Sequence, residues 1–436
     1  MTNIITQPRI RQLLVFTMTI ALIITSSCKK SDPAPTTDDQ LEFIEEYEIT
    51  YEDLNAQIAM LTDDPNVYDY PDVLNEMRLE AEEPGINAIL VSKVSYWSVD
   101  NQGKAKKLTG LIMHPLLKLG KMPLISLNHG TVLEKKYGPS QFNPFLVTEY
   151  LDFAEVIIAE AMASWYGWTI IMPDYQGMGD DKDENHPYCN TELLGIATAD
   201  MIKAAKATLL KKYRINWTGK TFLIGYSEGG FVTMSAAREL EKRNEAFNGS
   251  ACLDGPYDLS GTMLDLMLSD NPFPVPYFLP MLLVGYNTMY PALYPYDQML
   301  VSPYKEDIPK YTTGFYSTSQ VNSIMPENHI LKTVFTPAFI DTLTTHTSKA
   351  YVTLQNNNSY VNWTPKTEML IWHCKNDDCV PFGNYEKAKT AFGTLSNVSF
   401  VEWPAVDPVF GQPIHVSVAP RAFKEGASWI YHRAKY

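Results

Sequence analysis

The sequence predicts an α/β fold: a mostly parallel central sheet flanked by helices, with an inserted, mainly helical cap. Three observations predict it. Short apolar runs bounded by turn residues recur along the chain, and stretches of helical apolar spacing separate them. The run at 221–225 ends in Gly225-Tyr226-Ser227-Glu228-Gly229 and passes at once into a helix-forming stretch. From 260 to about 349 the alternation lapses, and residues 271–296 instead gather proline, tyrosine, phenylalanine, methionine and leucine.

In chain order, Arg9 and Arg11 precede an apolar run at 13–25 that is short for a bilayer span, and Ser26-Ser27 then lead to Cys28. The pattern resembles a bacterial lipoprotein signal, with Thr25 where leucine is usual. The resemblance implies a signal peptide over 1–27, acylation of Cys28, and attachment to the membrane of the cell envelope. Residues 28–40, rich in Ser, Pro, Thr and Asp, read as a flexible tether. Residues 41–61 read as an amphipathic helix. Residues 87–97 and 108–114 read as a β-hairpin around Asp100-Asn101-Gln102-Gly103.

Buried strands then follow at 123–127, 169–172, 221–225, 251–253, 369–372 and 398–403. Helical segments at 154–165, 191–211 and 228–243 lie between them. Strands apolar on both faces and separated by helices imply parallel pairing with right-handed crossovers. The folded part thus divides into 41–259, the cap at 260–349, and 350–436. Prolines and the polar Tyr286-Asn287-Thr288 argue against a membrane span within the cap.

Composition narrows the partners. A formal charge of -15 and a pI near 5.0 exclude a nucleic-acid-binding role, because phosphate recognition needs a positive field. Export would place the chain in an oxidising compartment, leaving Cys189, Cys252, Cys374 and Cys379 beside the acylated Cys28. Cys374 and Cys379 are close enough to bridge a loop, with Cys189 and Cys252 as the other pair, but all three connectivities stay open. None of these cysteines has metal-ligand spacing, so neither a metal nor another cofactor is expected.

The chemistry gathers around Ser227. A serine hydroxyl is a weak nucleophile until a base takes its proton, so the motif calls for a histidine and an acid. Asp377 follows the strand at 369–372, and the D-x-x-V-P spacing to Val380-Pro381 selects it over Asp378. His415 and His432 are the histidines beyond it, and His432 falls near the end of the terminal helix, leaving His415 as the base. An oxyanion needs two backbone amides: that of Glu228, at a helix N-terminus, and one from the loop Asn128-His129-Gly130-Thr131, with Thr131 first and Gly130 second. His129 reads as structural, as do the strand-end turns Pro173–Asp180 and Asp254–Asp258.

The series His129-Gly130-Thr131, Pro173-Asp174-Tyr175-x-Gly177-x-Gly179, Gly225-Tyr226-Ser227-Glu228-Gly229-Gly230, Asp377-x-x-Val380-Pro381 and His415 resembles the α/β-hydrolase superfamily. Within it the order looks most like secreted lipases and esterases and their bacterial lipoprotein relatives. Cys374 departs from the glycine usual at its position. The resemblance spans about 87–436 and implies a Ser227-Asp377-His415 triad that cleaves carboxylic esters through an acyl-enzyme. The substrate would be a small-molecule or lipid ester. Two other readings stay open: a serine peptidase of the prolyl oligopeptidase or aminopeptidase type, with Asp297, Glu306 and Asp307 available to hold an amine, and an inactive hydrolase-fold binding protein.

Overall fold

A computed structural model describes residues 41–436 apart from 63–69, 82–85, 117–120, 145–149, 213–216, 410 and 436. The signal, the tether and Cys28 therefore lie outside the described residues. The strands are β1 (Glu42–Thr50), β2 (Ala88–Val99), β3 (Ala105–Pro115), β4 (Met122–Asn128), β5 (Thr169–Pro173), β6 (Trp217–Tyr226), β7 (Gly249–Leu253), β8 (Met369–Cys374) and β9 (Val398–Trp403). They form one nine-stranded sheet in the order β1-β2-β3-β5-β4-β6-β7-β8-β9. The first three strands and the β3–β5 pair are antiparallel, and every pairing from β5 to β9 is parallel.

Period-two alternation explains why these runs form inner strands. Ile125, Leu127, Phe222, Ile224, Leu253, Leu370 and Trp372 enter one core, packed by α1 (Tyr51–Thr62), α2 (Tyr70–Glu80), α3 (Ala154–Trp165) and α14 (Ile414–Ala434). Their neighbours Leu124, Leu223, Cys252, Met369 and Ile371 enter a second core on the other face. There they meet α4 (Thr191–Lys212), α5 (Glu228–Lys242) and α13 (Gly383–Phe392). The order matters for chemistry. The chain runs from β4 outward to β5, then crosses back over β4 to β6, so the winding reverses beside β4. Open α/β sheets place their ligands at the carboxyl ends of strands flanking such a reversal.

One expectation fails. Residues 41–61 are not a single helix, because Glu42–Thr50 pairs antiparallel with β2 before α1 begins. Phe43, Tyr47 and Ile49 turn toward protein while Glu42, Glu46 and Glu48 face water. Pairing with the free edge of β2 outweighs the local helical spacing, and a register shift between Phe43 and Glu45 hides the alternation in the sequence.

Between β7 and β8 the regular elements among the described residues are helices joined by turns, apart from an isolated bridge between Leu300 and Phe335. The helices are α6 (Leu264–Met267), α7 (Phe278–Met289), α8 (Tyr296–Met299), α9 (Tyr304–Tyr311), α10 (Thr318–Ser323), α11 (Pro337–Thr344) and α12 (Lys349–Asn356). Their apolar side chains, including Phe273, Leu279, Leu283, Tyr286, Met299 and Phe339, form a third core that they share with Tyr175, Leu194, Phe231 and Val232 of the sheet part.

The base of this insertion is clasped. Asp258 accepts from the Thr262 amide at 2.7 Å, from Asn358 Nδ2 at 3.1 Å and from the Tyr360 hydroxyl at 2.9 Å. Asn358 also accepts from the Ser260 amide at 3.1 Å and donates to the Ser260 hydroxyl at 3.0 Å. Asp258, Ser260 and Asn358 are all buried, so losing one partner leaves the others unpaired away from water. Asn358→Ala is expected to lower stability by about 2–4 kcal/mol. Denaturant unfolding measures this, and a change within error would show that the clasp contributes little.

Candidate active site

The turn from β6 into α5 forces Ser227 to φ 60° and ψ -126°, a conformation that side-chain-bearing residues rarely adopt. The flanking glycines are sterically required. A Cβ on Gly225 would overlap the Gly229 carbonyl oxygen, one on Gly229 the Asn128 carbonyl, and one on Gly230 the Leu253 carbonyl. Three strand ends thus crowd the same corner. The Ser227 amide donates to the Leu253 carbonyl at 2.9 Å, tying the corner to β7.

Ser227 Oγ lies 2.7 Å from Nε2 of His415, and Nδ1 of His415 lies 2.5 Å from Oδ2 of Asp377. All three residues are buried. The second oxygen of Asp377 accepts from the Cys379 amide at 2.9 Å and the Val380 amide at 2.7 Å. This explains the D-x-x-V spacing, since the loop closes on its own acid. It also fixes the carboxylate so that its other oxygen faces the imidazole.

His415 occupies the first turn of α14, and two neighbours seat that turn. The Tyr226 hydroxyl donates to the His415 carbonyl at 2.6 Å, with the two rings 4.9 Å apart. Asp378, the acid passed over on spacing, accepts the Ile414 amide at 3.1 Å and the His415 amide at 3.2 Å. It supplies from another loop the N-terminal cap that Pro413 cannot give. Sequence reasoning missed both roles, and no local signal carries them, because each partner lies tens of residues away. His432 sits at the far end of α14, exposed, 3.7 Å from Glu80.

The amides of Glu228 and Thr131 have no hydrogen-bond partner among the described residues. Thr131 Oγ1 lies 2.9 Å from the Tyr188 hydroxyl, and Tyr188 lines the same cavity as Ser227. Gly130 departs from expectation. Its amide donates to the Glu155 carboxyl at 2.7 Å and so is not available to an oxyanion. Glu155 on α3 anchors this loop instead, while His129 gives Nδ1–H to the Gly130 carbonyl at 2.8 Å and stacks on Tyr175. Burial pushes the Glu155 carboxyl up to about 8, with neighbouring Glu228 adding to the rise and the Gly130 amide opposing it. Glu228 turns its side chain to His186, 2.8 Å away. Burial opposes a charge on His186, but the carboxylate beside it leaves its pKa raised.

The four cysteines correct a second expectation, since all are buried free thiols. Cys374 points into the core beneath α14, whereas Cys379 points into the core of the insertion, so the suggested loop bridge does not form. Asp254, His373 and Asp377 each bring one ligand-type atom within 4.8 Å of the others. Both oxygens of Asp377 are already committed, to the loop amides and to His415, so the group is not read as a metal site.

Ser227 opens on an apolar cavity whose far wall comes from the insertion. Leu266, Met267, Phe273, Phe278, Leu279 and Leu282 line it. Solved structures of the same shape follow from this geometry. An inferred hydrolase from Legionella pneumophila superposes with a TM-score of 0.75 at 23% identity, over 90% of this chain and 98% of the other. The rice cell wall degrading esterase LipA of Xanthomonas oryzae gives 0.71 at 20% identity, over 92% and 100%.

The chain has the α/β-hydrolase fold. The Candida antarctica lipase A structure aligns at a TM-score of 0.57 and 18% identity, over 84% of this chain and 77% of that one. The secretory lipase family model matches residues 140–242, a stretch that runs from before α3 through the β6–α5 turn. No curated protein sequence matches the chain. Because β4, β6, β7 and β8 pair in parallel, the loops after β4, β6 and β8 leave one sheet edge, which is where Thr131, Ser227 and Asp377 lie.

Glu155 carries a pH consequence. Its folded pKa of about 8 stands above the ordinary 4.5, so its contribution to stability is complete below about 4.5 and is lost as pH rises through 8. Glu155→Gln, which still accepts the Gly130 amide, is expected to raise the melting temperature at pH 9 relative to wild type and to leave little difference at pH 4. Thermal unfolding at both pH values checks it.

Proposed function

We propose that the chain is a serine hydrolase of carboxylic esters, lipase- or esterase-like, working through an acyl-enzyme. Ser227 Oγ attacks the acyl carbon as His415 Nε2 takes its proton, and Asp377 holds the imidazole and the positive charge it acquires. The Glu228 and Thr131 amides donate to the oxyanion. Losing one such donor typically costs about 3–4 kcal/mol of transition-state stabilisation. His415 returns the proton to the departing alkoxide. Water, activated by the same histidine, then attacks the acyl carbon, and Ser227 leaves with its proton restored.

The observation that carries this reading is the two-link chain of 2.7 and 2.5 Å from Ser227 through His415 to Asp377, opening on an apolar cavity. The cavity favours an ester over a peptide. An aminopeptidase needs a carboxylate for the substrate amine, and Asp297, Glu306 and Asp307 are absent from the lining. Glu306 is exposed and occupied by Ser302 at 3.1 Å and Lys305 at 3.7 Å. The names of LipA and of lipase A point the same way, as does the secretory lipase match over residues 140–242.

Lipid attachment at Cys28 and a cell-envelope location complete the proposal. Among the described residues no helix is long and apolar enough to cross a membrane. Cys28→Ser is expected to move the protein from the membrane fraction to the soluble fraction, and unchanged retention would contradict the anchor.

With p-nitrophenyl esters, each added acyl methylene should gain up to about 0.8 kcal/mol, roughly a fourfold rise in kcat/KM, until the cavity is full. Faster turnover of aminoacyl-anilides than of every ester would overturn the ester reading. A fluorophosphonate probe is expected to label wild type and to fail on Ser227→Ala. Absence of labelling in folded wild type would favour the inactive binding protein.

A further inference from the structure

Behind Asp377 lies a second acid–histidine pair that the mechanism above does not use. Asp254 opens the turn after β7, and His373 is the penultimate residue of β8, both fully buried. His373 Nε2 lies 2.8 Å from the Val380 carbonyl oxygen. A carbonyl cannot donate, so Nε2 carries the hydrogen. His373 Nδ1 lies 3.1 Å from Asp254 Oδ1, an oxygen that also accepts the Cys374 amide at 2.9 Å. The approach is off the ideal hydrogen-bond line, and Asp254 Oδ2 has no partner. Two lone pairs facing each other at that distance in a dry interior repel unless a proton lies between them.

Val380 connects this pair to the site. Its carbonyl is held by His373 and its amide by Asp377 Oδ1, so both ends of one peptide segment are fixed. Resting on the reading of Asp377 as the triad acid, we propose that Asp254 and His373 together hold one proton and, through Val380, position the Asp377 carboxylate without adding charge beside it.

An uncompensated carboxylate at residue 254 would stand within 4.8 Å of Asp377 and act on the imidazolium of His415. Burial pulls His373 down to about 4, and burial together with Asp377 pushes Asp254 well up, so both effects put the shared proton on the carboxyl. Other titratable groups facing the pair are Asp377 and Cys374 at the end of β8, His415 on α14, Tyr226 on β6 and the Tyr385 ring on α13. Asp254 and His373 are positioning residues, since neither reaches the cavity that Ser227 lines.

The test compares Asp254→Ala with Asp254→Asn on p-nitrophenyl butyrate across pH, with thermal unfolding alongside. Turned with its nitrogen toward His373 Nδ1, the amide of Asn gives that atom the hydrogen that the protonated acid gives it, while the Cys374 amide loses its acceptor. Asp254→Ala is expected to lower kcat on the order of 10- to 100-fold, with KM little changed, because Val380 loosens and Asp377 shifts. Asp254→Asn is expected to restore kcat to within about threefold of wild type and to leave the acidic limb of kcat/KM in place.

A limb displaced to lower pH by on the order of one unit in Asp254→Asn would mean that a bare charge had been removed, overturning the proposal. An inactive or unfolded Asn variant, or a fully active Ala variant, overturns it as well. Ser227→Ala and Asp377→Asn run in the same assay keep the two readings apart. Retained activity in either defeats the triad itself, whatever the residue-254 variants do.

Discussion

The backbone crowding at the end of β6 is the constraint from which the rest of the site follows. Gly225, Gly229 and Gly230 lie so near the carbonyls of neighbouring segments that a methyl group on any of them would collide. Only with those contacts relieved can α5 start directly at the sheet edge and hold Ser227 at φ 60°. The same crowding brings the loop after β4 alongside, since Asn128 pairs with Gly225 in register and its carbonyl meets the Gly229 position. Ser227 and the amides proposed to bind the oxyanion are thus neighbours because the strands beneath them are, with no long-range fitting required. The strain in the serine is held by a sheet buried on both faces, the kind of over-determination such a conformation needs.

A second feature is the number of buried carboxyl groups around a site that would stabilise a negative charge. Glu228 and Asp254 lie within the core and Glu155 is half-buried, all near Ser227 or Asp377. Each is tied to a donor or a histidine: Glu155 to the Gly130 amide, Glu228 to His186, Asp254 to the Cys374 amide and His373. Burial favours their neutral or paired forms. The arrangement fixes loops, while Asp377 meets the imidazole of His415.

Much of this was legible in the sequence, and the reasons differ by residue. The strands from β4 to β8 were readable because burial on both faces makes them short apolar runs, whereas the edge strand β9 is exposed along part of its length. Ser227 was readable because the turn's steric demand writes glycine at fixed offsets, and Asp377 because its loop closes on the amide three residues on. Strand β1 was not readable. An edge strand buried on one face, interrupted by a register shift, carries the spacing of a helix as easily as that of a strand. Asp378, Tyr226 and Glu155 were equally invisible, because their partners lie far along the chain and only the fold brings them together. The free cysteines show the reverse case, where closeness in sequence suggested a bond that opposite side-chain directions do not allow.

The clasp at Asp258, Ser260 and Asn358 separates the helical wall of the cavity from the sheet edge that carries Ser227. Because the chain leaves the sheet and returns to it at one buried hydrogen-bonded point, what lies between behaves as an interchangeable module. The entropy of closing such an excursion grows only slowly with its length. Changes of length between these two ends are therefore expected to reshape the wall of the cavity while Ser227, His415 and Asp377 keep their places.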